Sequence, residues 1–131
     1  MNPPAGGFGL ARIGQIAINV KDVKRALAFY RDVLGMRLLF EAPPGLAFFD
    51  CSGVRLMLSR AERPDLDHPA SILYYRVDDI QATHDTLVSR GVRFESKPHV
   101  VAKLPAHDLW LADFRDSEGN VLALMSEVPR S

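Results

Sequence analysis

The chain has 131 residues, 16 Lys and Arg against 16 Asp and Glu, and 47% apolar residues, which describes one globular domain whose core needs no disulfide or structural metal. Zero net charge and no basic run longer than two residues remove the electrostatic footprint of a nucleic-acid binder. Cys51 is the single cysteine, which excludes an intrachain disulfide and zinc-finger spacing, and no apolar stretch approaches the ~20 residues that cross a bilayer, so a cytoplasmic setting without membrane or nucleic-acid partners is expected.

Residues 1–10 contain Pro3, Pro4, Gly6 and Gly7, which disfavour a helix, and lack the basic start and apolar run of a signal peptide; they are expected to form a flexible N-terminal arm. Residues 13–20 then alternate in polarity as a strand does. Asp22 follows as a helix N-cap, Val23, Ala26, Leu27, Tyr30 and Leu34 recur at helical spacing, and Gly35 supplies the left-handed residue that stops the helix. Three strands are predicted next, at 37–41, 46–50 and 54–59, followed by a polar, Pro-bearing linker over 60–70.

The same punctuation then returns. Val20-Lys21-Asp22-Val23 reappears as Val77-Asp78-Asp79-Ile80, 57 residues on. Residues 72–77 read as a strand, Asp79 as an N-cap, Ile80, Thr83, Leu87 and Val88 as a buried stripe, and Gly91 as the stop. Strands are predicted at 92–96, 107–114 and 121–126. The turn Asp50-Cys51-Ser52-Gly53 returns as Asp116-Ser117-Glu118-Gly119, 66 residues on, so the second copy carries about nine extra residues between Gly91 and Gly119. The predicted organisation is β-α-β-β-β twice within 11–128: module one at 11–60, the linker, and module two at 70–128.

The segments IGQIAINVKD (13–22), AFYRDVLG (28–35) and FRDSEGN (114–120) resemble the vicinal oxygen chelate superfamily, of the glyoxalase and bleomycin-resistance type, over about residues 10–128. The resemblance implies an α+β, glyoxalase-like fold in which two tandem βαβββ modules form a curved, eight-stranded mixed sheet cup, and it implies a homodimer. It does not fix a reaction, because function belongs to the site.

Alternation places Ile16, Ile18 and Val20 under the helices and turns Gln15, Ala17 and Asn19 toward the cup. The same reading of the matching strands gives Arg55, Met57 and Ser59; Ile72, Tyr74 and Arg76; and Val121, Ala123 and Met125. Among these, Gln15, Asn19, Arg55, Met57, Ile72, Tyr74, Arg76, Ala123 and Met125 are the ligand-binding candidates. Arg55 and Arg76 would grip a carboxylate, Gln15, Asn19 and Tyr74 would orient it, and Met57, Ile72 and Met125 would form an apolar floor.

The resemblance also implies where a metal would sit, since related enzymes use a His or Gln on each first strand and a carboxylate on each last strand. Those four places are Gln15, Met57, Ile72 and Ala123. Only Gln15 is a donor that a hard or borderline divalent ion accepts, so no metal and no other cofactor is expected. The stretch 98–108 reads as a strand, a turn around 103–105 and a returning strand; a hairpin centred on Lys103 would set His99 opposite His107. These two are the general-base candidates, with Asp108 or Asp113 to orient one of them. His68 and His84 are expected to be structural or solvated, Cys51 to be a small buried group, and Trp110 to be core or pocket wall.

The resulting expectation is a metal-free protein that takes a small polar, carboxylate-bearing or aromatic molecule in the cup, as a sequestering binder or as a metal-independent enzyme. The alternative is a metal-dependent lyase, isomerase or dioxygenase with a rearranged site that involves His99 and His107.

Overall fold

The computed structural model describes residues 8–43, 45–61 and 63–130. The predicted N-terminal arm lies largely outside the described residues; within 8–14 no regular element forms, and Phe8 and Leu10 are 91% and 94% exposed.

The elements are β1 (Gln15–Asn19), α1 (Val23–Ala28) running into a π-helical turn (Phe29–Val33), β2 (Arg37–Ala42), β3 (Leu46–Cys51) and β4 (Val54–Ser59). After a short 3-10 turn (Pro64–Leu66) come β5 (Leu73–Arg76), α2 (Ile80–Ser89), β6 (His99–Lys103), β7 (His107–Arg115) and β8 (Val121–Pro129). The strands form two four-stranded sheets, ordered β1-β4-β3-β2 and β5-β8-β7-β6. In each sheet the first strand runs parallel to the last and the other pairs are antiparallel. The fold is therefore α+β, with two βαβββ modules in tandem. No helix among the described residues is long and apolar enough to cross a membrane.

Local chemistry accounts for the repeated boundaries. The Asp22 carboxylate accepts the Arg25 N–H at 3.0 Å, and Asp79 accepts the Ala82 N–H at 2.9 Å, so each helix starts on a satisfied donor. Gly35 and Gly91 sit at φ of 72° and 90°, where a Cβ would be strained.

One apolar core serves both modules. Ile18, Phe49 and Leu58 from the first meet Phe114, Leu122 and Leu124 from the second, with Tyr30 fully buried among them. Each such buried side chain contributes roughly 1.5–3 kcal/mol relative to exposure. Polar contacts fasten the same seam. The Tyr30 hydroxyl donates to Asp116 Oδ2 at 2.7 Å, Arg25 pairs with Glu118 at 2.7 Å, and Arg90 donates to the Val33 carbonyl at 2.9 Å.

Two expectations are corrected. Residues 92–96 form no strand and make only a single bridge, Phe94 to Phe114. Phe94 is drawn into the core, against the rings of Phe114 and His84, while the Ser96 hydroxyl takes the Asp113 N–H that a ladder would have used; Pro98 then offers no N–H. The strand begins one residue later, at His99. The first helix is also not α-helical throughout: the Leu34 N–H reaches back five residues to the Phe29 carbonyl at 3.0 Å, widening the turn that carries Tyr30 toward Asp116.

Candidate functional site

Strand register decides which side chains share a face, because directly paired residues point to the same side of a sheet. Gln15 pairs with Arg55, Ala17 with Met57 and Asn19 with Ser59; across β3, Phe48 pairs with Met57 and with Phe40. Since Ile18, Leu56 and Leu58 go to the core with α1, these residues occupy the face turned away from the helix.

That face carries an assembled group of contacts. Gln15 Oε1 accepts from Arg55 Nε at 3.0 Å, and Gln15 Nε2 approaches Met57 Sδ at 3.7 Å. The Arg55 guanidinium lies 5.3 Å from the centre of the Phe48 ring, which in turn stacks on Phe40 at 4.5 Å. An amide on one side and an aromatic ring below fix the cation in place without neutralising it. Beside it lies a cavity of about 540 Å³, lined by Ala17, Asn19, Leu46 and Met57 and closed on one flank by His68 and Ala70 of the linker. Asn19 donates to the His68 carbonyl at 3.1 Å, which ties the linker to this rim.

The corresponding face of module two is more open. Tyr74 pairs with Ala123 and Arg76 with Met125; Leu111 extends the second row, and His99 continues it. Tyr74 is 50% exposed, Met125 is partly buried, and Ile72, 46% exposed, precedes β5 rather than belonging to it. Arg76 is a rim residue: its side chain is 70% exposed and lies 3.6 Å from Glu127. Ala123, counted among the pocket candidates, is fully buried in β8 between the neighbouring β5 and β7, so its methyl offers no contact surface. Tyr74 and Arg76 line a different cavity, of about 330 Å³, with Cys51 and Ser52. The nine ligand candidates thus divide: Gln15, Arg55 and Met57 form one contact group, Asn19 lies at its rim, and Ile72, Tyr74, Arg76, Ala123 and Met125 belong to the other module.

The expected His99–His107 pair does not form. Lys103 pairs with Asp108 and His99 with Leu111, and the Leu104 N–H bonds the His107 carbonyl at 2.8 Å. The hairpin therefore turns between residues 104 and 107, and along β7 His107 lies four residues, roughly 13–14 Å, from the position opposite His99. His107 pairs with Pro129 instead, His99 Nδ1 lies 2.7 Å from the Lys97 carbonyl oxygen, and Asp108 is held by Arg130 at 2.6 Å. His84 packs on Phe94 and bonds Asp85, a structural role as expected. Cys51 is exposed rather than buried, at the end of β3 beside Ser52, and Trp110 packs against the core.

The Glyoxalase/Bleomycin resistance protein/Dioxygenase superfamily matches the chain over residues 12–124. The chain belongs to this superfamily. It is also similar to the uncharacterized protein YraH of Bacillus subtilis (strain 168), 31% identical over 123 residues, which span 84% of this chain and 94% of that protein. Among solved structures, the antibiotic binding protein TnmS3 from Streptomyces sp. CB03234 shares the fold with a TM-score of 0.74 at 24% identity, covering 92% of this chain and 99% of that one. A superfamily member from Sphaerobacter thermophilus DSM 20745 does so with a TM-score of 0.77 at 23% identity, covering 90% and 98%.

The divalent metal of superfamily enzymes finds a poor donor set at the four corresponding places. The Gln15 carbonyl oxygen is engaged by Arg55, Met57 offers a thioether, Ile72 an alkyl group and Ala123 a buried methyl. Hard and borderline ions bind none of the last three. Among the described residues, no group of three or more His, Cys, Asp or Glu is placed to hold a metal ion. The part of the site that sequence reasoning missed is aromatic: Phe40 and Phe48 under Arg55. Alternation along 46–50 would have found Phe48, since it places Leu46, Phe48 and Asp50 on the face that Met57 shares.

Proposed function

We propose that this superfamily member binds a small polar, carboxylate-bearing or aromatic molecule on the Arg55–Met57 face, without a resident divalent metal. The observation that carries this reading is the geometry of Arg55, held by Gln15 above Phe48 and, among the described residues, engaged in no ion pair that would neutralise it. The donor chemistry at the four metal places supports metal-free binding. The fold shared with TnmS3, itself described as an antibiotic binding protein, supports small-molecule binding.

Each module also exposes apolar surface. Phe40 of module one and Ile72 and Tyr74 of module two are each about half exposed, and a second copy of the chain packing on them would bury this surface, so the binder is proposed to act as a homodimer. A metal-independent enzyme is the second reading. The observation in its favour is His99, which lies in one row with Leu111, Met125 and Arg76 and is the base such a reaction would use.

A thermal-shift panel of small carboxylates and their amides supplies a first ligand. Arg55→Met should then weaken the carboxylate by about tenfold, the loss of one charge-assisted hydrogen bond, and leave the amide nearly unchanged. His99→Ala should not alter binding; turnover of the ligand that His99→Ala abolishes would favour the enzyme. Carboxylate affinity that survives Arg55→Met but vanishes with a chelator would overturn the reading.

A further inference from the structure

The cavity on the Met57 face does not end at the sheet. A second cavity, of about 650 Å³, lies beside it at the start of α1, and Leu46, Arg60 and Ala61 line both, so the two adjoin along a shared wall and are taken together as a trough. Its walls change character along the way: the inner part is set by Ala17, Leu46 and Met57, the outer part by Lys21, Lys24 and Arg60.

Among the described residues lining the trough, one carboxylate, Asp22, stands against Lys21, Lys24 and Arg60; it caps the Arg25 N–H, keeps its charge and offsets one of the three cations. Glu118 lies close by, accepting the Lys21 and Asp22 N–H groups, but its charge is matched by Arg25 at 2.7 Å. The side chains of Lys24 and Arg60 carry no ion pair or hydrogen bond among the described residues. In a chain of zero net charge, this is a local concentration of unspent cations at the mouth of an apolar trough.

We propose that the trough binds an amphipathic aromatic anion, with its ring system on Ala17, Leu46 and Met57 and its carboxylate, sulfonate or phosphate-type head between Lys24 and Arg60. The proposal rests on the reading of the Met57 face as the binding face and concerns a ligand that extends from Met57 away from Arg55, which does not line either cavity, so that its acidic group meets Lys24 and Arg60 and a second acidic group would meet Arg55. β4 leads from Met57 to Arg60 in three residues, roughly 10 Å, which matches two fused rings bearing an acidic group. Arg76 is not the head-group site, because Glu127 already faces it.

Two probes that share an aromatic body test this on the intact protein: anilinonaphthalene sulfonate, an anion, and phenylnaphthylamine, which is neutral. Fluorescence titration should show the sulfonate bound about tenfold more tightly, with that advantage lost at high salt. In Lys24→Gln/Arg60→Gln, both changes lying at exposed positions, sulfonate affinity should fall about tenfold while the neutral probe binds as before and the melting temperature is kept. Equal affinity of the two probes, or an unchanged sulfonate affinity in the double variant, would overturn the head-group site while leaving face binding intact. If neither probe binds, or if Met57→Gln leaves both unaffected, the binding face itself is wrong and the proposal falls with it.

Discussion

Replacing Tyr30 by Phe removes one oxygen from the seam between the modules and leaves the packing almost untouched. The ring stays fully buried against Phe49, but Asp116, 6% exposed, loses the hydroxyl that donates to its Oδ2 at 2.7 Å. A hydrogen bond to a charged acceptor contributes ~1.5–3 kcal/mol. The Asn120 side chain at 3.0 Å and the N–H groups of Glu118 and Asn120 at 2.8 Å remain on the carboxylate, so the cost falls in the lower part of that range, about 1.5–2 kcal/mol. For a domain of this size that lowers the melting temperature by roughly 5–8 °C. Burial and then the Asp116 charge push the Tyr30 hydroxyl well above the usual phenol range, so the donor keeps its proton throughout the accessible pH range. Urea unfolding followed by Trp110 fluorescence should show a lower midpoint with an unchanged slope. A Tyr30→Phe protein within about 0.5 kcal/mol of the parent would refute the reasoning, since a surface-like effect means the seam does not depend on this bond.

Acid should weaken a second seam contact. Hydrogen bonding from Arg25 holds the Glu118 carboxyl at about 2, against the opposing effect of burial. Because its folded value is depressed, its contribution is complete above about pH 4.5 and is lost as pH falls toward 2; with Arg25 half-exposed and screened by water, that is about 1–2 kcal/mol, and Glu118→Gln should flatten this part of the stability curve. Gly91→Ala should cost about 1 kcal/mol through backbone strain alone, as φ is +90° and a Cβ would meet nothing within 4 Å, whereas Gly14→Ala, also in open space but without that φ, should melt at or slightly above the parent temperature. Sedimentation equilibrium at tens of micromolar should report twice the chain mass; a value near 14.5 kDa would contradict the proposed dimer.

What was legible in the sequence was local. The capping aspartates, the glycine stops and the Asp-x-x-Gly turns depend on residues within a few positions of one another, and both βαβββ modules follow from them. What failed depended on distant partners. The segment at 92–96 has strand composition, yet the core claims Phe94 and Ser96 takes a ladder N–H. The His99–His107 pairing rested on a hairpin centre two residues too early, and a change of register between Val100 and Ala102 shifts the ladder further. Alternation identified the face that carries Gln15, Arg55 and Met57, but it does not reveal that the module-two strands leave Ala123 buried or that Asp116 is the partner of Tyr30, 86 residues away.

Metal independence is tested most directly by elemental analysis of the purified protein, dialysed without chelator. The proposal predicts well under one equivalent of any divalent metal, because Met57, Ile72 and Ala123 hold three of the four ligand places. One equivalent of zinc, nickel, iron or manganese that is lost in Gln15→Ala would contradict it.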